Sequence, residues 1–420
     1  MAAAWLKRVA PADLPPRPED YVRSNGIRLV KPYYFDFVAN VKRRWIGQTV
    51  LDVFTQEFPA RPRSYYEAAL ADGRLRVEGY DGPPIAPLKN GQRIRHFIHR
   101  HEPPVLDLPV QVLAQTPDLI AVSKPASMPV HASGQYRFNT VVGLLQAYNP
   151  DLGPLLPVHR LDKPVSGLLL FARSSQSANT LRTKIEERSV EKVYIARVMG
   201  AFPQTPIEVD APLAWDPRAN HARVVLADKA SGQASARPDW EKEAKESLTE
   251  FQLKAVAPDG KTSLVECRPR TGRTHQIRVH LQHLGHPVAN DKQYGGKYPG
   301  PRSMLGGMGQ DAPQSEHMRS VNTLAGAHSA ANHDYCNGSI GGAAEADSSE
   351  LPRKKPSGLE YPVDADQVDE LCMHCPHMAP INYPVELRPL WLHALCYSCQ
   401  DWSFECPPPA WAHTDWTPTF

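Results

Sequence analysis

Leu156-Pro157-Val158-His159-Arg160-Leu161-Asp162-Lys163-Pro164-Val165-Ser166-Gly167-Leu168-Leu169-Leu170-Phe171 is the stretch on which the reading of the fold turns. A polar loop carrying His159, Arg160, Asp162 and Lys163 runs straight into four large apolar residues. A short apolar run bounded by turn residues predicts a buried strand, which would hold the loop rigidly at its edge. Loops on rigid scaffolds are where chemistry is usually sited. Taken alone, the stretch fits a surface turn equally well, with Asp162 capping a neighbour and the cations solvated. The surrounding chain has to decide.

Working outward, Leu119-Ile120-Ala121-Val122-Ser123-Lys124 reads as another buried strand, feeding the loop Pro125–His131, and a helix follows from Asn139. Downstream, Ala178, Leu181 and Ile185 share one face of a helix predicted over 176–188. Val190–Met199 alternates as a strand, with Tyr194, Ala196 and Val198 on one side. Residues 216–247 form a polar excursion, read as a solvated loop, before the strand Ser263–Cys267. Thr271-Gly272-Arg273-Thr274-His275-Gln276-Ile277-Arg278-Val279-His280 then opens a short helix with the stripe Ile277, Leu281, Leu284 and the stop Gly285. Arg273, His275, Gln276 and Arg278 within six residues make a dense set of anion-binding groups, set against the plainer reading of a polar surface helix.

Toward the N-terminus, residues 1–40 are proline-rich with scattered aromatics and read as an extended arm. Residues 41–105 read as a compact α+β module. Leu51, Phe54 and Phe58 recur at helical spacing, and Ser64 is placed as N-cap of a second helix that Gly73 can end. Strands follow near Leu75–Val77 and Arg93–Phe97. This order resembles the S4-like RNA-binding domain, a likeness that would make Arg61, Arg63 and Arg76 phosphate contacts. In His99-Arg100-His101-Glu102-Pro103-Pro104 the two histidines stand at i and i+2 before tandem prolines, which reads as a domain hinge rather than a metal site.

The whole-chain charge of +2 conceals an acid-rich region ending in Asp364, Asp366, Asp369 and Glu370, so the rest is more basic, as nucleic-acid binding requires. Seven cysteines in 420 residues do not read as a secreted disulfide framework. No apolar run approaches a membrane span, and Asp13, Glu19 and Asp20 argue against a transit peptide. A cytoplasmic or nuclear protein is expected, ahead of a mitochondrial or plastid one.

Four blocks, Val122-Ser-Lys124-Pro125 with Pro129-Val-His131, His159-Arg-Leu-Asp162 with Ser166-Gly-Leu-Leu-Leu170, Lys192-Val-Tyr194, and Thr271–His280, closely resemble the RluA-type pseudouridine synthases in order and content. The junction around His99–Val105 is similar to eukaryotic members that modify uridine 32 of tRNA. The resemblance implies an α+β fold: a catalytic domain over 106–298 with a mixed, largely antiparallel sheet, completed by 371–420 beyond a low-complexity, disordered insertion at 299–370. The insertion itself is read from composition, rich in Gly, Ala, Ser, Asn and His with poor periodicity. The resemblance further implies isomerisation of uridine in RNA without cofactor. It assigns Asp162 to the sugar, as nucleophile or as base toward C2′, Arg278 as its partner, and Tyr194 as the aromatic against uracil. Arg160 would fill the stack vacated by a flipped base. Lys124, Arg273 and His275 would be phosphate or structural contacts. RNA, tRNA above all, is the expected partner, for a monomer with no membrane attachment and no obligate protein partner.

Cys372, Cys375, Cys396 and Cys399 have the C-x2-C-x20-C-x2-C spacing of a zinc site. The second pair falls at a presumed closing strand, where residues three apart face opposite ways, so reduced thiols and no metal are expected.

Overall fold

The computed structural model describes residues 14–80, 86–226, 238–298, 368–381, 383 and 387–416. All but residues 368–370 of the expected 299–370 insertion lies outside them. The described residues form two compact units: the smaller holds residues 14–22 and those described between 29 and 104 and between 368 and 383, and the larger holds 23–28, those described between 105 and 298, and 387–416.

In the smaller unit, strand β1 (Tyr33–Asn40), helices α1 (Val50–Glu57) and α2 (Arg63–Ala71), and strands β2 (Leu75–Val77) and β3 (Arg93–Arg100) follow in chain order. The sheet order is β1-β3-β2, antiparallel throughout. Thr49 caps α1 by accepting from the Asp52 amide at 3.1 Å. Val50, Val53 and Phe54 of α1 then pack with Tyr66 and Ala69 of α2 over Leu75 and Ile94. Two expectations need correcting. The arm is regular strand from Tyr33 to Asn40, because β1 pairs along its whole length with β3. Ser64 lies inside α2, whose N-cap is Pro62.

The larger unit is built on β4 (Gln111–Gln115), β5 (Leu119–Lys124), α3 (Val141–Tyr148), β6 (Ser166–Ala172), α4 (Ser175–Glu186), β7 (Glu191–Met199) and β8 (Ile207–Asp210). A hairpin of β9 (Leu213–Asp216) and β10 (His221–Val224) follows, then β11 (Leu248–Val256), β12 (Thr262–Pro269), α5 (Gln276–His283), β13 (Leu392–Ser398) and β14 (Ser403–Glu405). The main sheet runs β8-β11-β12-β7-β13-β6-β5-β4, with β14 beside β13. Every pairing along this path is antiparallel except β6 with β13. The sheet is therefore mixed and largely antiparallel.

The apolar run of the opening stretch is β6. Leu168 to Phe171 are at most 1% exposed, as suits a strand with neighbours on both sides. Gly167, with φ +115°, lets β13 approach: a Cβ there would stand 2.3 Å from the Ala394 carbonyl oxygen. Ser166 and the His393 Nδ1 share a hydrogen bond of 2.8 Å across the same junction. Among the described residues no helix is long and apolar enough to cross a membrane.

Candidate active site

The loop before β6 is held from below by Lys124. Its ammonium is fully buried and donates to the carbonyls of Pro125 at 3.0 Å, Lys163 at 3.2 Å and Val165 at 2.6 Å. All three donors are spent on backbone, which favours the structural of the two expected roles over the phosphate contact: Lys124 anchors the loop. Burial pulls it down to about 7, although the Asp162 carboxylate pulls the other way. Lys124→Met is expected to destabilise the fold by about 2–4 kcal/mol by leaving buried carbonyls unpaired. The salt dependence of RNA binding should stay as in the parent. A salt slope shallower by about one charge would restore the phosphate role.

Asp162 meets Arg278 above this anchor. Arg278 lies on α5, which is buried over its first six residues and is not the polar surface helix of the plainer reading. Its Nε and Nη2 donate to Asp291 at 2.6 and 3.0 Å, and Nη2 also reaches Gln293 at 2.8 Å. That fork leaves Nη1 aimed at Asp162 Oδ2, 3.1 Å away. Burial opposes charge on both partners. The carboxylates of Asp291 and Asp162 nevertheless hold Arg278 protonated. For Asp162, His275 and Arg278 outweigh burial and keep the carboxyl below its ordinary value.

His275 completes the clamp. It occupies the left-handed region at φ +59°, as N-cap of α5, and its Nε2 stands 3.5 Å from Asp162 Oδ2. Its Nδ1 is 2.7 Å from the Tyr294 hydroxyl, which accepts from the Ala222 amide at 3.0 Å. Tyr294 therefore spends its proton on Nδ1, and the imidazole proton is assigned to Nε2, facing Asp162. Burial brings His275 down to about 4, so the ring is neutral at physiological pH. Ala222 belongs to the hairpin, which packs on Val279 and Tyr294 through Leu213 and Ala222. The start of the expected solvated loop is thus a structured roof over the site.

Tyr194 lies on β7 beside a bulge in its pairing with β13, a device that re-aims a side chain. Its hydroxyl is 2.6 Å from that of Tyr397, and burial pushes it up to about 12, so it stays neutral. His159 accepts from the Leu170 amide at 3.0 Å and packs edge-on against Tyr397, a structural part of the loop. Lys192, half-buried and lowered by desolvation, stands beside Gly272.

Arg160 is exposed at the loop, and its charge acts on Asp162. Arg273 is exposed too, but its Nε donates to the Glu246 carbonyl at 3.0 Å. Gln276 and His280 are buried structural groups: Gln276 donates to Leu248 and Thr249, and His280 contacts Thr249 and Ala211. In the smaller unit Arg61 lies over the Tyr65 ring and Arg76 donates to the Gly73 carbonyl. Arg63 is exposed but shared between Glu67 and Asp52, so it is a less available phosphate contact than expected. Asp291, Gln293, Tyr294 and Tyr397 join the site through Arg278, His275 and Tyr194 and carry no motif of their own.

The buried histidines set an acid limit. In the folded chain His275 and His393 sit at about 4 and His159 at about 3, against about 6.5 when unfolded. The unfolded chain binds more protons in between, so stability is intact above the unfolded value and falls as pH drops toward the folded ones. Urea titrations should show the midpoint decreasing from about pH 6.5 to about pH 4. A midpoint that stays level across this window would contradict the neutral, buried assignment.

Residues 118–283 match the family described as "RNA pseudouridylate synthase". "RNA pseudouridine synthase 7" of Oryza sativa subsp. japonica is 40% identical over 401 residues, covering 96% of this chain and 94% of that protein. "Pseudouridylate synthase RPUSD2" of Homo sapiens is 34% identical over 436 residues, covering 94% and 75%. "tRNA pseudouridine(32) synthase, mitochondrial" of Saccharomyces cerevisiae is 38% identical over 277 residues, covering 66% and 56%. With the Oryza sativa relative matched over 94% of its length and a clamped carboxylate inside the matched region, the chain belongs to the RNA pseudouridine synthases, isomerases of uridine in RNA.

Proposed function

We propose that this synthase isomerises a tRNA uridine of the position-32 kind, with Asp162 acting at the sugar. The observation that carries the assignment is the clamp. Among the described residues, Arg278 and His275 both meet the Asp162 carboxylate at Oδ2. Oδ1 is left for the substrate. An ionised, oriented carboxylate suits either attack on C1′ or removal of the C2′ proton as the N-glycosidic bond breaks. The freed uracil then turns, C5 bonds to C1′, the C5 proton leaves and N1, released from the sugar, takes up a proton. The composition of the uridine is unchanged. Tyr194, neutral and tied to Tyr397, walls the base and can pass a proton without becoming an anion. Exposed Arg160 enters the stack as the uridine flips, an exchange that offsets a few kcal/mol of unstacking. The S4-like reading of the smaller unit assigns Arg61 and Arg76 to the RNA backbone.

The tRNA target rests on the relative from Saccharomyces cerevisiae and on the sequence of the His99–Val105 junction. Mapping pseudouridine across tRNA, rRNA and mRNA of cells lacking the chain tests it. The expected loss is at a tRNA anticodon-loop uridine, restored by the parent chain but not by Asp162→Ala. Loss confined to rRNA or mRNA would overturn the target and keep the chemistry.

A further inference from the structure

Within the smaller unit, the Nδ1 of His99, the Nε2 of His101 and the Sγ atoms of Cys372 and Cys375 converge, all within 4.8 Å of one another. The i, i+2 spacing that argued against a metal is what permits this. His99 lies near the end of β3 and His101 just beyond, and in extended backbone residues two apart project to the same side. The other half comes from a Cys-x-x-Cys turn, with Cys375 lying 274 positions beyond His101, so neither half shows a complete site in the sequence.

We infer that these four side chains bind one zinc ion, as a structural site of the Cys2His2 class. The separations among His99, His101 and Cys375 fit the geometry, and Cys372 completes the set within 4.8 Å. A tetrahedral zinc with Zn–N of about 2.05 Å and Zn–S of about 2.3 Å requires N···N near 3.3 Å and N···S near 3.6 Å. The structure has His99 Nδ1 to His101 Nε2 at 3.2 Å, Cys375 Sγ to His99 Nδ1 at 3.2 Å, and Cys375 Sγ to His101 Nε2 at 3.6 Å. Two thiols and two imidazoles in tetrahedral reach select zinc over hard cations, and four protein ligands leave no open position for catalysis.

The surroundings support the ligands. The carbonyl of Met378 lies 3.3 Å from His101 Nδ1, which places the ring proton there and turns the Nε2 lone pair inward. The turn is drawn tight by the Cys372 amide on the Asp369 carbonyl at 3.0 Å and the Cys375 amide on the Cys372 carbonyl at 3.3 Å. The Asp369 amide points at Cys375 Sγ from 3.4 Å, a donor that favours thiolate over thiol. Asp369 itself is pinned to Arg74 at 2.5 Å. Cys396 and Cys399 belong to the larger unit at the end of β13, so the four-cysteine set suggested by spacing is not the one assembled. The ion would staple the segment that returns after residue 367 onto the end of β3.

The test uses the full chain, expressed with zinc in the medium and purified without chelator, with metals measured by plasma mass spectrometry. About one zinc per chain is expected, lost in Cys372→Ser/Cys375→Ser and kept in Cys396→Ser/Cys399→Ser. Should the first double variant fail to fold, cobalt(II) loaded into the parent chain reads the same site. Thiolate-to-cobalt charge transfer with intense four-coordinate bands is expected, and the weak bands of six-coordinate cobalt would overturn the assignment. Parent protein with a negligible zinc content, or zinc retained in the Cys372/Cys375 variant, would also overturn it.

Discussion

Asp162→Ala should reduce pseudouridine formation by at least about a thousandfold while leaving RNA affinity within a few fold. The effect is large because the carboxylate is the group with an oxygen left for the sugar, and no neighbour can replace it. Arg278 and His275 bring a cation and a neutral ring, and Tyr194 stays protonated. The substitution should also be structurally mild. Arg278 keeps its two bonds to Asp291 and its bond to Gln293, so no buried cation is left alone. Single-turnover assays with saturating enzyme, beside a binding isotherm and a melt, separate these outcomes. Asp162→Asn keeps the shape and removes the charge, and should be nearly as inactive. Turnover within tenfold of the parent in either variant would remove Asp162 from the chemistry.

Gly167→Ala is expected to be the most damaging small substitution in the larger unit. The added Cβ would meet backbone rather than a side chain, at 2.3 Å from the Ala394 oxygen and 2.4 Å from its nitrogen, so nothing can swing aside. The φ of +115° adds strain of about 1–3 kcal/mol. Forcing β13 from β6 would carry the total above about 4 kcal/mol, an exceptional value for one methyl group. A fall in melting temperature of about 8–16 °C follows, if the variant remains soluble. Gly260→Ala is the control, with φ +66° and no atom within 4 Å of the added carbon, so it carries backbone strain alone, about 1 kcal/mol. A Gly167→Ala melt matching that control would mean the strands can separate freely.

What could be read in advance follows how far each feature's determinants lie along the chain. The strand Leu168–Phe171 and the set Asp162, Tyr194, Arg278 were legible because each sits in a dense local pattern. Lys124 stayed open between a phosphate and a structural role because local sequence cannot show that three carbonyls surround its ammonium. Asp291 and Tyr294 escaped notice because their importance comes from Arg278 and His275, which reach them only after α5 is buried under the hairpin. The polar stretch from Asp216 concealed that hairpin, since Leu213 and Ala222 gain an apolar context only from Val279 and Tyr294. The His99, His101, Cys372, Cys375 cluster is the extreme case, because two short local patterns mean little until the fold joins them.

The position of β13 bears on synthesis. It lies between β7 and β6 at the middle of the main sheet, and His393 is 227 residues beyond its partner Ser166. As the chain leaves the ribosome, both neighbours emerge long before the strand that joins them. Until then each presents an open edge to solvent, with β6 almost wholly apolar. Such a nascent chain is exposed to wrong pairing for the time taken to translate more than two hundred residues, and its assembly is governed by a late, long-range contact. A chaperone that covers strand edges would therefore be needed most between the emergence of β7 and that of β13, and a message cut short in that interval would yield aggregate rather than a weakened enzyme.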